Sequence, residues 1–264
     1  MPAHSATSLE DLADQNLAHA VRLHSRWQPA AKLLELNGVL LHQGTLPLPL
    51  PHQNCVIRLD STVKPDLLLQ QAGAFYGGSA NPYAVITMSR QDLDLDACLG
   101  AQGFTAHADL PAMLAEAPLA MPPTAAGWRI DLLTQAAELP AFVNVCAKAY
   151  ATLGLPEFMT PSFFVQTDGL LAADVSIALA RNAQGEVAAA AMALHTGEVA
   201  GVYWVGTLPE ARGACLAAAC TAAVTNLALE RGARGVTLQA SHMGEPTYRR
   251  LGFREYGRMT RWSR

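Results

Sequence analysis

The 264 residues suffice for one large domain or two ordinary ones; 51% are apolar and only 15% charged, which points to surface buried between two halves or in a homodimer. A net charge of −4 with no arginine-rich arm argues against a nucleic-acid partner. Cys55, Cys98, Cys146, Cys215 and Cys220 form no CxxC pair and the histidines no HExxH spacing, so no disulfide framework and no metal is expected.

The chain opens on a polar segment containing Glu10, Asp11 and Asp14, without a signal-peptide pattern. Its apolar stretches are alanine-rich or too short for a bilayer, so a cytoplasmic protein with no membrane partner is expected. Ser8 is placed to cap a helix carrying the apolar series Leu9, Leu12, Leu17 and Val21. Residues 33–42 and 55–60 read as strands on either side of a proline-rich turn. Residues 64–75 read as an apolar helix, 83–88 as a β-branched strand and 93–101 as a helix ending before Gly103-Phe104. Pro111, Pro118, Pro122 and Pro123 mark residues 109–127 as a connector.

Beyond the connector the rhythm is clearer. Residues 128–134 form a strand, 139–152 a helix and 155–168 an irregular segment with Phe158, Met159, Phe163 and Phe164. Strands follow at 175–181, 186–195 and 198–205. An alanine-rich helix over 210–230 closes at Gly232, and strand 236–240, a short helix to Leu251 and strand 253–262 complete the chain. This order gives a mixed α/β sheet, not a doubly wound one. Ile86-Thr87-Met88 followed by Gly103-Phe104 parallels Val236-Thr237-Leu238 followed by Gly252-Phe253, so the expectation is a duplication, with domains 1–125 and 126–264.

The chemistry concentrates in one stretch. A strand ends at Val205-Gly206-Thr207-Leu208-Pro209, and a helix then opens through Arg212-Gly213-Ala214-Cys215-Leu216-Ala217. Amides in the first turn of a helix lack internal partners and face outward at the positive end of the dipole. Small residues there let a pyrophosphate approach, and Arg212 adds a charge-assisted contact. Downstream comes Tyr248-Arg249-Arg250-Leu251-Gly252-Phe253.

Both stretches, in this order, resemble the GNAT acyltransferases, and together they cover about half of the chain. The resemblance implies a largely antiparallel GNAT-type sheet flanked by helices, and transfer of an acyl group, by expectation acetyl, from acetyl-coenzyme A to an amine. It implies that Val205 and Thr207 hold the pantetheine arm and that Gly213, Ala214, Cys215, Leu216 and Ala217, with Arg212, hold the pyrophosphate. Tyr248 would be the acid that protonates the departing thiolate, a role that suits a phenol of pKa about 10. The family pattern has glycine where this chain has Cys215.

Glu198 is the candidate base, with His195 beside it as an alternative; Ser241, His242 and the Phe158–Phe164 cluster are candidates for the acceptor side. The acceptor is a small-molecule amine, a protein N-terminus or a lysine. The first domain offers Lys64 where the second has its small-residue loop, and Cys98 or Leu99 where the second has Tyr248, so it reads as a degenerate copy. A non-catalytic acyl-coenzyme A-binding protein of the same fold is the alternative reading.

Overall fold

The computed structural model describes residues 7–77 and 82–264. The first helix, α1 (Leu9–Arg26), begins where Ser8 accepts from the Asp11 amide and Asp11 accepts from the Ser8 amide, a reciprocal cap. The stretch expected as one strand at 33–42 is a hairpin, β1 (Lys32–Leu36) and β2 (Val39–Gln43). Asn37 and Gly38 both have positive φ, which suits a tight two-residue turn between twisted strands.

The first half continues through β3 (Cys55–Arg58), α2 (Pro65–Tyr76), β4 (Ala84–Met88), α3 (Leu93–Ala101) and β5 (Thr105–Ala115). The second half comprises β6 (Arg129–Leu132), α4 (Leu139–Ala151), β7 (Val175–Arg181), β8 (Val187–Thr196), β9 (Val199–Thr207), α5 (Leu216–Glu230), β10 (Gly235–Gln239), α6 (Glu245–Leu251) and β11 (Arg254–Ser263). Among the described residues all eleven strands join one sheet, in the order β1-β2-β3-β4-β11-β5-β10-β9-β8-β7-β6.

That order is nearly a palindrome, and it shows how the two halves are joined. Each half runs through a hairpin, a third strand, a helix, a strand parallel to the third, a short helix and a last strand. The last strands are exchanged: β11 lies against β4 of the first half, and β5 against β10 of the second. β5 and β11 then pair with each other at the centre of the sheet. Residues 109–115, expected as connector, are therefore part of a central strand. Pro111 is tolerated because its carbonyl side faces Ala240, just past the end of β10, where a ladder N–H is not needed.

α1 packs across β8, β9 and β10, so the first segment of the chain covers the second half's sheet. Two close approaches fix it and α4 there. A side chain at Gly201 would run into Asn16 of α1, and one at Gly206 would meet Ala149 of α4 at 2.6 Å. Asn16 is fully buried and donates to the Leu194 carbonyl at 3.1 Å and Thr196 Oγ1 at 2.6 Å, while accepting from the Tyr203 hydroxyl at 2.7 Å. None of the described helices is long and apolar enough to cross a membrane.

Candidate active site

β9 and β10 run parallel over Val199↔Gly235, Ala200↔Val236 and Gly201↔Thr237, then part. Past that point β9 keeps its pairing with β8, but with a bulge. Met192 faces Tyr203 and Ala190 faces Gly206, so one residue of β8 opposes the two residues Trp204 and Val205. Trp204 has φ 51, a left-handed conformation that costs a bulky residue energy unless its surroundings enforce it. Its indole Nε1 donates to His24 Nε2 at 2.7 Å, and His24 Nδ1 lies 2.6 Å from the Ala20 carbonyl, to which it donates. Burial pushes the His24 pKa down to about 3, so the ring is neutral and can play both parts. The rings of Phe164, Tyr150 and Phe163 enclose Trp204 at 4.8, 4.9 and 5.1 Å.

A cavity of about 600 Å³ opens at the bulge, a volume in the usual range for small-molecule sites. The second half contributes Tyr150, Trp204, Val205, Gln239, Ser241 and Tyr248, and the first half the proline-rich loop at 48–52 with His52. The Val205 backbone N–H lies near the Tyr150 phenol and moderates a pKa otherwise raised by burial and by neighbouring Cys146 and Tyr248. Burial pushes Tyr248 up to about 12, so it holds its proton at neutral pH. Its hydroxyl has no hydrogen-bond partner among the described residues, and its ring packs on Phe253 at 6.0 Å.

A second cavity of about 640 Å³ lies toward the start of α5 and is lined by Thr207, Arg212, Gly213, Cys215, Leu216 and Ala217. The helix expected from residue 210 begins only at Leu216. A single turn at Pro209–Ala211 is followed by left-handed Gly213 (φ 85) and Cys215 (φ 56), which interrupt helical progression. The result is a loop of small residues leading to free amides at a helix N-terminus, an anion cradle. A side chain added at Gly213 would meet open space, so the approach to its backbone is clear. Ala214 packs toward the core instead of lining the cavity. Arg212 reaches Thr152 Oγ1 at 2.8 Å, and α6 adds Thr247 and Arg250 to the rim. α6 thus sends Tyr248 to one cavity and Thr247 and Arg250 to the other.

Glu198 does not join this group. It precedes β9, at the end of the strand remote from the bulge, lines neither cavity and pairs with Arg234 at 2.6 Å. A position beside the strand motif does not say which end of the strand carries it. His195, which bonds Ser176 Oγ at 3.2 Å, lies at the same remote end. Ser241 and Phe163 line the first cavity, whereas His242 is exposed, Phe158 is 77% exposed and Phe164 packs behind Trp204. Sequence reasoning missed Tyr150, Trp204, His52, Arg250 and Arg261. Arg250 lies within the Tyr248–Phe253 motif and Trp204 directly before Val205, but nothing local in the sequence marks a bulge or ties residues 48–52 to β9.

The first half differs at this level of the sheet. β3 stops at Arg58, at the level where β9 has Gly201, and the Arg58 side chain is buried among the residues that follow β3 and β4. It is 1% exposed, bonds Asp92 at 2.7 Å and Asp94 at 2.6 Å, and donates to the Val63 and Gln91 carbonyls. The Phe104 amide bonds the Leu99 carbonyl as the Phe253 amide bonds that of Tyr248, so Leu99, fully buried, is the counterpart of Tyr248.

No family model matches the chain, and no curated protein matches it by sequence. Solved structures do match its fold. A GCN5-related N-acetyltransferase from Kribbella flavida superposes with a TM-score of 0.72 at 20% identity, covering 99% of this chain and 96% of that one. A tandem GNAT protein from the clavulanic acid biosynthesis pathway gives 0.63 at 15% identity, covering 95% of each. A GCN5-related N-acetyltransferase from Sphaerobacter thermophilus gives 0.62 at 16% identity, covering 94% of this chain and 84% of that one. With a split and bulged central strand, a small-residue loop at a helix N-terminus and two repeats joined in one sheet, the chain has the fold of the GCN5-related N-acetyltransferases in its tandem form.

Proposed function

We propose that the protein is an N-acyltransferase that moves an acyl group, acetyl in the simplest case, from coenzyme A to an amine in the cavity at the bulge. The observation that carries this is the bulged, splayed arm of β9, with the anion cradle at one end and the unpartnered Tyr248 hydroxyl beside it. The residues present fit coenzyme A: the amides from Gly213 to Ala217, with Arg212 and Arg250, suit a pyrophosphate, and the parted strands expose β9 backbone to an amide-rich arm. Acyl-coenzyme A would supply an electrophilic carbonyl and a thiolate leaving group.

The chain's own residues supply the rest. The Val205 N–H, which meets the Tyr150 phenol, exchanges that contact for the carbonyl oxygen as negative charge builds on it. Tyr248, protonated at neutral pH, donates to the departing sulfur. No carboxylate lines this cavity among the described residues, and His52 is its one nitrogen base. Burial holds the His52 pKa well below the usual range, so the imidazole stays neutral and accepts a hydrogen bond from the amine, whose proton passes to solvent as the new C–N bond forms.

Calorimetric titration with acetyl-coenzyme A, followed by turnover on an amine panel, tests the reading. Tyr248→Phe should lower kcat by about a hundredfold and leave acetyl-coenzyme A affinity unchanged. Affinity with a turnover indifferent to Tyr248→Phe would point to a binding protein instead. Absence of binding in both the native chain and Cys215→Gly would overturn the proposal.

A further inference from the structure

Arg261 stands in β11 between Ile86 of β4 and Ala108 of β5, neither of which can share its charge, and it lines the cavity at the bulge. It is half-buried, yet among the described residues its side chain has no ion pair and no hydrogen bond. The other partly or fully buried arginines among the described residues, Arg22, Arg58, Arg181 and Arg258, each face a carboxylate. Burial alone moves the Arg261 pKa, and it moves it down. A guanidinium stripped of part of its water without a partner is costly, and an anion that enters the cavity recovers that cost. It is also the single charged residue among those lining the cavity.

A second donor on the same wall is unmet. Gln239 Nε2 is buried without a hydrogen-bond partner and also lines the cavity. Gln239 lies level with Ala112 and Gly257, two strands across from β11 and four residues short of Arg261. By strand geometry the two Cα atoms are about 10 Å apart across the sheet and about 13 Å along it. A ligand that satisfies both therefore engages two separate stretches of the same wall, which an extended molecule does best. The remaining wall is mostly leucine, proline and aromatic rings.

We infer that the acceptor is an elongated, largely apolar amine that carries a carboxylate, bound at Arg261, and an acceptor oxygen within reach of Gln239. This rests on the transferase reading for the word acceptor; the anion site itself does not. The arginine fork suits a planar carboxylate, which can take two parallel hydrogen bonds.

The test separates the two claims. Octanoate and octanamide are titrated into the full chain without coenzyme A, and ω-aminooctanoate and its carboxamide are then compared as substrates. Octanoate should bind and octanamide should bind at least tenfold more weakly, the difference vanishing in Arg261→Met and persisting in part in Arg261→Lys. In turnover the carboxylate amine should show the lower KM by a similar factor, with kcat little changed. Equal binding of the two probes, binding of neither, or octanoate binding indifferent to Arg261→Met overturns the anion site. Octanoate binding through Arg261 in a protein that ignores acetyl-coenzyme A would leave the site standing and remove the transferase.

Discussion

Cys215 occupies the residue of the cradle at which the backbone turns left-handed, with φ 56, and its side chain makes no capping hydrogen bond. An L-residue with a Cβ is strained there by about 1 kcal/mol, and glycine is not. Cys215→Gly should therefore stabilise the fold by about 1 kcal/mol in urea denaturation and also tighten acetyl-coenzyme A binding, since the thiol stands beside the amides that meet phosphate. A gain in stability without a gain in affinity would mean that the phosphate sits elsewhere along the loop. Trp204 shows the opposite balance: it too is left-handed, but its strain is overcome by the His24 hydrogen bond and three aromatic neighbours. Strain at Trp204 is matched by packing, whereas strain at Cys215 is not, which makes Cys215 the residue to change.

At the scale of elements, the halves differ in how far the third strand runs. β9 reaches Thr207 and leaves a cleft beside β10, whereas β3 ends at Arg58, whose buried guanidinium pairs with Asp92 and Asp94. Arg58→Ala would leave Asp92 buried without its partner, so unfolding free energy should fall by about 3–5 kcal/mol, with no change in acetyl-coenzyme A affinity. A matching loss of affinity would mean that the first half also binds the nucleotide. Much of this was legible from sequence, because most elements and the loop at 212–217 depend on local signals: Ser8, Gly232, the proline-rich turn, small residues before an alanine-rich helix. What was not legible depends on contacts distant in sequence. Asp109 to Ala115 carries a proline and no β-branched residue, and only its neighbours β10 and β11 make it a central strand. Glu198 looked close to the chemistry because sequence proximity along β9 hides a whole strand length.

At the scale of the molecule, exchange of β5 and β11 makes the halves interdependent. Residues 126–264 alone lack β5, which pairs with β10, and α1, which covers β9. That fragment should give no near-ultraviolet circular dichroism signal of fixed aromatic packing, and a well-folded fragment would refute the interdependence. The same interface predicts a pH response. Burial pushes His24 down to about 3, His42 to about 4 and His52 well below the usual value. Each is ordinarily near 6.5 when unfolded, so on acidification through 6.5 the unfolded chain takes up protons that the native state refuses, and stability falls. Asp14 of α1 acts in the reverse sense. Burial raises it to about 7, above its unfolded value, so its contribution is present at low pH and is lost as pH rises through 7. Between pH 7 and pH 5 three histidines oppose one aspartate, and the net slope favours the histidines. Tm should therefore drop from pH 7 to pH 5, and Asp14→Asn should steepen the drop while raising Tm at pH 8. A flat native profile that stays flat in the variant would mean that the buried imidazoles reach water before the fold yields.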